Sequence, residues 1–336
     1  MEGIVVASSN GRVGIAEAVR VLREGGSALD AVEAGVRLVE DNLDDDSVGT
    51  GGLPNMLGEV QLDASIMDGR TLLSGAVGAL RGFPHPISVA RRVMTDLPHC
   101  FLVGSGAELF AEQAGFERAE LLTPRARERY ESWLRERLPE GATTDGDGYA
   151  RYAQRMRDLA ALVHRLADPE RTHGTVNFLA RDREGNIASA VSTSGWAWAF
   201  PGRLGDSPVI GAGNYCDNRY GATACTGRGE MAIRAGTARS VVLYMKLGMS
   251  VEEALTEAMR DLWALNDPFY GNMNIVALDR DGRPAAATNR PGATFVWQRT
   301  DMDDCVEEPR LLVESPDPAQ KGGWSSHTRR EANDRQ

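Results

Sequence analysis

The sequence predicts an α+β protein in which antiparallel sheets stack in layers with helices outside. Three observations carry this. Segments read as strands, then helices, then strands and helices again. Two stretches read as hairpins closed by glycine-bearing turns. A chain of 336 residues with 42% hydrophobic side chains is long enough to bury a full core. One layered domain over residues 1–336 is therefore expected, with no internal repeat.

Along the chain, Ile4, Val5, Val6 and Ala7 form an apolar strand signal, followed by two amphipathic helix patterns separated by Gly25-Gly26. Ser27 and Asp30 stand at capping-box spacing before Ala31, Val32, Val36 and Leu38. Residues 44–54 mix acidic side chains with Gly49, Gly51 and Gly52 and follow neither period, so they read as loop. Val60, Leu62, Ala64 and Ile66 alternate with Glu59, Gln61, Asp63 and Ser65, which predicts a half-buried strand in which Asp63 supports the sheet rather than the chemistry. A proline-initiated helix over 87–94, a short strand Phe101-Leu102-Val103 and another helix follow. Residues 123–172 are charge-rich and poor in core-building side chains, which predicts a surface helical excursion with a mobile loop.

Residues 175–182 and 187–194 read as a hairpin with its turn at Glu184-Gly185. If 183 faces 186, Thr175 lies opposite Ser194 and one step from Thr193, so two threonine hydroxyls meet at one end of a sheet. A glycine-punctuated stretch over 195–227 leads to a helix over 230–247, and Ser250 caps another. A second hairpin, 274–279 with 285–288, neighbours a strand over 293–298; the tail after about 314 reads as frayed.

With 37 basic and 48 acidic residues the net charge is −11 and the pI near 5.1, which argues against nucleic acid as a partner. No apolar run reaches the length of a membrane span, and the first residues lack a signal-peptide pattern, so no membrane partner and a cytoplasmic location are expected. Cys100, Cys216, Cys225 and Cys305 lie far apart without histidines at metal-ligand spacing; they read as reduced, mostly structural thiols, and no metal is expected.

Four segments stand out: His173-Gly174-Thr175, Thr193, Arg203 to Pro208, and Cys225 to Glu230. Singly, each also fits a strand start, a β-branched strand residue, a surface turn or a helix start. In combination with Ser47-Val48-Gly49-Thr50-Gly51-Gly52-Leu53-Pro54, Leu62-Asp63-Ala64-Ser65, His85-Pro86-Ile87-Ser88 and Gly211-Ala212-Gly213, the chain resembles the glycosylasparaginase and type III (plant-type) asparaginase family of N-terminal nucleophile hydrolases. The resemblance runs from the N-terminus almost to residue 300.

That resemblance implies a four-layer αββα sandwich, two stacked, mainly antiparallel sheets between helical layers. It implies self-cleavage into 1–174 and 175–336, with His173, Gly174, Thr175 and Ser47 taking part. A threonine inside a chain has no base of its own, whereas an N-terminal one carries an α-amine suited to taking its hydroxyl proton. By the same resemblance, Thr175 attacks the side-chain amide of a β-aspartyl substrate and Thr193 hydrogen-bonds the attacking hydroxyl. Arg203 holds the α-carboxylate, Asp206 the α-ammonium, Thr226 and Gly227 the oxyanion, and Ser207 supports substrate binding from beside Asp206. The substrate implied is N4-(β-N-acetylglucosaminyl)-L-asparagine, with L-asparagine or an isoaspartyl dipeptide as the alternative. No cofactor is needed, and a homodimer of cleaved protomers is expected.

Two departures matter. Glycosylasparaginases carry a tryptophan in the loop after the first strand, where this chain has Ser8-Ser9-Asn10-Gly11, and usually Asp before the nucleophile, where it has Gly174. Trp196 and Trp198 are candidates to line the leaving-group pocket, with core packing the expected role of at least one. Two rivals differ in class. Gly227-Arg228-Gly229-Glu230-Met231-Ala232 fits a dinucleotide fingerprint, but 243–262 reads as helix, turn and helix where that fold needs an acidic strand end. The other is an uncleaved, inactive scaffold of the same family.

Overall fold

The computed structural model describes residues 2–136, 174–265, 267 and 271–315. Its strands are β1 (Ile4–Ser8), β2 (Leu62–Asp68), β3 (Ser74–Leu80), β4 (Phe101–Val103), β5 (Val176–Arg181), β6 (Ile187–Thr193), β7 (Asn214–Asp217), β8 (Gly221–Gly227), β9 (Met273–Asp279), β10 (Pro284–Thr288), β11 (Thr294–Arg299), β12 (Val306–Pro309) and β13 (Leu311–Leu312). Its helices are α1 (Arg12–Arg23), α2 (Ala28–Glu40), α3 (Pro86–Asp96), α4 (Gly104–Gln113), α5 (Pro124–Arg135), α6 (Gly229–Ala235), α7 (Thr237–Lys246) and α8 (Val251–Ala264).

An eight-stranded sheet runs β12-β11-β1-β5-β6-β2-β3-β4, and a five-stranded sheet runs β13-β10-β9-β8-β7. Pairing is antiparallel except at β3 with β4 and β10 with β13. Three apolar cores separate four layers. Val5 and Ala7 of β1 and Phe178 of β5 pack with Ile15, Val19, Val32 and Val36 of α1 and α2. The alternate residues Ile4, Val6 and Leu179 face Ala222, Ala224, Val276 and Leu278 of the second sheet. That sheet's other face, Cys225, Ile275 and Ala277, meets Val241, Leu255 and Met259 of α7 and α8. Strands enclosed on both sides carry apolar residues at successive positions, as β1 does. The αββα sandwich expected from the resemblance is the fold observed.

Local signals hold where the chain is punctuated. Ser27 and Ser250 each head a capping box, closed by Asp30 and Glu253 respectively. All four cysteines are free, Cys216 and Cys225 buried among the cores.

Five expectations are corrected. The strand read as half-buried, β2, is buried along six of its seven residues, because its polar face meets the second sheet rather than water. There Asp63 and Ser65 are enclosed, and the Asp63 carboxylate accepts the Ala79 N–H at 2.8 Å. The glycine-punctuated stretch contains β7 and β8. The helix over 230–247 is two, α6 and α7, broken at Gly236 with φ +59°. The part of the charged excursion that is described, α5, is no mere surface helix: Tyr130, Trp133 and Leu134 are buried, and Trp133 stacks on Trp198 with centroids 4.7 Å apart. Its expected mobile loop, 141–148, and the tail beyond 315 lie outside the described residues. The fifth is the hairpin: Val176 pairs with Ser192 and Arg181 with Ile187, one residue from the register expected. Asp182 accepts the Gly185 N–H, making a longer turn that sets Thr175 opposite Thr193 when the register continues.

Candidate active site

The corrected register gathers the site at one end of the eight-stranded sheet. Thr175 immediately precedes β5, Thr193 ends β6, and Asp63 of β2 pairs with Thr193 on its other side. The Thr193 hydroxyl donates to the Gly174 carbonyl oxygen at 2.7 Å, while its oxygen accepts the Gly195 N–H at 3.0 Å. Gly174 has φ +106°, and a Cβ there would lie 1.6 Å from Ser47 Oγ. Only glycine tolerates both the backbone angle and the contact. Ser47 is fixed in turn: its carbonyl accepts the Ser194 N–H at 2.8 Å.

Gly174, Thr175 and Thr193 line a small cleft together with Arg203, Asp206, Ser207, Gly227, Trp196, Arg228 and Glu230. Arg203 Nε and Nη2 donate to Glu230 Oε1 at 3.0 and 2.9 Å. Asp206 is buried, its Oδ2 without a hydrogen-bond partner. Desolvation pushes its carboxyl up to about 7, opposed by the charge of Arg203 and reinforced by Glu230 and Asp63. Burial likewise pushes Asp63 up to about 6, against the Ala79 N–H and Arg203. The loop carrying Asp206 and Ser207 is tied across the two sheets. The Ser65 hydroxyl donates to the Ser207 carbonyl oxygen and accepts from Asn214 Nδ2 at 2.6 Å, and Ser189 donates to Asn214 Oδ1 at 2.7 Å.

Gly227 ends β8 at φ +119°, where a Cβ would sit 2.1 Å from the Asn272 carbonyl oxygen. Thr226, beside it, is buried and pairs with Asn274 without being among the cleft-lining side chains. Ser47 stands behind Gly174 rather than on the cleft surface. His173 lies outside the described residues. Trp196 lines the cleft under Arg203 and Arg228, at 5.5 and 4.8 Å, whereas Trp198 packs with α5. Sequence reasoning missed Arg228 and Glu230 as cleft residues and Asp45 as the partner of Ser47. For Asp45 a signal existed, since Asp two residues before Ser is the spacing of an Asx turn.

Among the described residues no three His, Cys, Asp or Glu side chains gather as metal ligands, and no helix is long and apolar enough to cross a membrane. Proton transfer and anion binding are the chemistry these side chains offer: hydroxyls beside the Gly174 peptide, a guanidinium fork and a buried carboxyl.

The four-layer sandwich with its cleft at the sheet end is that of the N-terminal nucleophile hydrolases. More narrowly, the chain belongs to the asparaginase family: the model Asparaginase_2, described as Asparaginase, matches residues 7–307. It is 37% identical over 284 residues to N(4)-(Beta-N-acetylglucosaminyl)-L-asparaginase of Elizabethkingia miricola, covering 83% of this chain and 76% of that one. It is 39% identical over 261 residues to isoaspartyl peptidase/L-asparaginase of Mus musculus, covering 77% and 70%. With plant-type L-asparaginase of Pyrococcus horikoshii it shares 37% over 308 residues, covering 89% and 92%. The chain is an amide hydrolase of this family.

Proposed function

We propose that the chain cuts itself before Thr175 and then uses that threonine to hydrolyse the side-chain amide of β-aspartyl substrates, releasing L-aspartate. The observation that carries the proposal is the 2.7 Å hydrogen bond from Thr193 to the Gly174 carbonyl oxygen. A donor there polarises the carbonyl that the Thr175 hydroxyl must attack, and glycine at this positive φ lets the peptide lie against Ser47. Attack forms an ester as the C–N bond breaks, and the nitrogen becomes the α-amine of Thr175. Water then cleaves the ester to leave chains of 174 and 336 − 174 = 162 residues.

In the matured site the α-amine takes the hydroxyl proton as Thr175 attacks the substrate amide carbon. Arg203 holds the α-carboxylate by its planar fork, and Asp206 with Ser207 the α-ammonium. The Gly227 N–H holds the oxyanion, joined by the Thr226 hydroxyl once that side chain turns toward the cleft. The leaving amine takes the proton, and water releases aspartate from the acyl-enzyme. The enzyme acts as a homodimer of cleaved protomers in the cytoplasm.

The first substrate proposed is N4-(β-N-acetylglucosaminyl)-L-asparagine. An isoaspartyl dipeptide is the second reading, favoured by Arg228, a second guanidinium on the cleft wall able to meet a carboxylate on the leaving group. N-terminal sequencing of the small fragment, with aspartate release from glucosaminyl-asparagine, asparagine and an isoaspartyl dipeptide, tests both steps. A fragment beginning at Thr175 supports maturation; a single 36.3 kDa chain under all conditions supports the inactive scaffold.

A further inference from the structure

We propose that Asp45 is a positioning residue for the cut before Thr175, holding the Ser47 hydroxyl against Gly174 through a ring of hydrogen bonds that returns to β5. This rests on the maturation proposed above. Ser47 packs against Gly174: a Cβ on Gly174 would lie 1.6 Å from its Oγ and 1.7 Å from its Cβ. The Ser47 hydroxyl donates to Asp45 Oδ1, and the Ser47 N–H donates to the same oxygen at 3.0 Å. With both donors committed to one carboxylate oxygen, Ser47 Oγ faces Gly174 with lone pairs alone.

The carboxylate is itself oriented. Asp45 Oδ2 accepts from Asn10 Nδ2 at 2.9 Å, and Asn10 Oδ1 accepts from the Ser8 hydroxyl at 2.7 Å. Ser8 N donates to Asn177 Oδ1 at 2.9 Å, and Asn177 N donates to Ser8 Oγ at 3.2 Å. Asn177, in β5, is two residues beyond Thr175. The hydrogen bonds thus start beside the nucleophile, cross the end of β1 and come back to Gly174 at Ser47. The two departures from the glycosylasparaginase pattern fall on this one path. Where those enzymes have Asp before the nucleophile, this chain has Gly174, with the Asp45 carboxylate one residue removed, behind Ser47; where they have tryptophan after the first strand, Asn10 orients that carboxylate.

The test uses the full chain, following loss of the intact polypeptide on denaturing gels and aspartate release per cleaved molecule. Asp45→Ala should slow the cut at least tenfold while kcat/KM of the cleaved fraction stays within threefold of wild type. Asp45→Asn sets an amide donor against the Asn10 amide and should also slow it; adding Asn10→Asp restores a donor–acceptor pair and should recover much of the rate. A cut at wild-type speed in Asp45→Ala overturns the proposal. So does equal loss of cutting and turnover, or, should Asp45→Ala not fold, an exchange variant no faster than Asp45→Asn. If the wild type is never cut before Thr175, the maturation reading fails first and takes this proposal with it.

Discussion

The Thr193 hydroxyl donates to the Gly174 carbonyl oxygen, 2.7 Å away, while its own oxygen accepts the Gly195 N–H. In the proposed self-cleavage that arrangement would favour the transition state over the resting peptide, since negative charge would develop on the oxygen the donor faces. Thr193→Val, which keeps the β-branch and removes the donor, should slow appearance of the two fragments by about 10²–10³-fold. Thr193→Ser should stay within about tenfold of wild type, the scale of a single weakened donor. Densitometry of the intact chain against time reads both; equal rates in wild type and Thr193→Val would remove Thr193 from the cut.

Gly174 offers a second handle. In Gly174→Ala the new methyl meets Ser47 at 1.6 Å in a backbone region that L-residues avoid, so the chain should remain uncut. Ser47→Gly removes both close atoms, leaving Cα at 3.1 Å, so the double variant should regain soluble, folded yield but not the cut. Circular dichroism and gels separate the outcomes. A Gly174→Ala chain that matures at wild-type speed would show that neither contact nor strain matters.

Legibility of the sequence followed burial. Helix starts were readable because Ser27 and Ser250 act through neighbours three residues away. The strands around Gly211 to Gly227 were not, because small residues there are chosen for contact between sheets, which leaves no alternation to see. The same cause misled at β2, whose polar side chains face buried partners such as Ala79 N and the Ser207 carbonyl. At the site, Thr193, Arg203 and Asp206 were found by resemblance to a family motif. Arg228, Glu230 and Asp45 matter through partners distant in the chain or through loop geometry that periodicity does not encode.

With Asp206 as the proposed partner of the substrate ammonium, binding should depend on pH. Its carboxyl, ordinarily near 3.8, titrates at about 7 in the folded chain. Between these values the folded state holds a proton that the unfolded state has released, so this group's contribution to stability is present at low pH and is lost as pH rises through that window. Asp206→Asn lacks the dependence. Relative to wild type its Tm should therefore move upward between about pH 4 and about pH 8. Only the ionised form pairs with a substrate ammonium, so KM should fall as pH rises through about 7. The limb on kcat should instead follow the α-amine, near ~7.7–8.0. A KM constant across that range would exclude Asp206 as the ammonium's partner.

Leaving-group choice is where Arg228 and Trp196 come in. Arg203 and Arg228 both lie over the Trp196 ring, and both face Glu230, which accepts from Arg203 at 3.0 Å and lies 3.8 Å from Arg228 Nε. Desolvation lowers the pKa of Arg228, which nonetheless stays charged at neutral pH, as guanidinium does. A carboxylate on the leaving group would gain from that charge, whereas a neutral sugar would gain mainly from stacking on Trp196. Arg228→Gln should therefore lower kcat/KM for an isoaspartyl dipeptide by about tenfold or more, a charged hydrogen bond of about 1.5–3 kcal/mol. Its amidated counterpart should change by less than about threefold, since no charge pair is lost. Trp196→Ala should reverse the order, costing glucosaminyl-asparagine more than the dipeptide. Parallel aspartate-release assays on the three substrates give the ratios, and equal losses across all of them in Arg228→Gln would mean that Arg228 only supports the fold of the cleft.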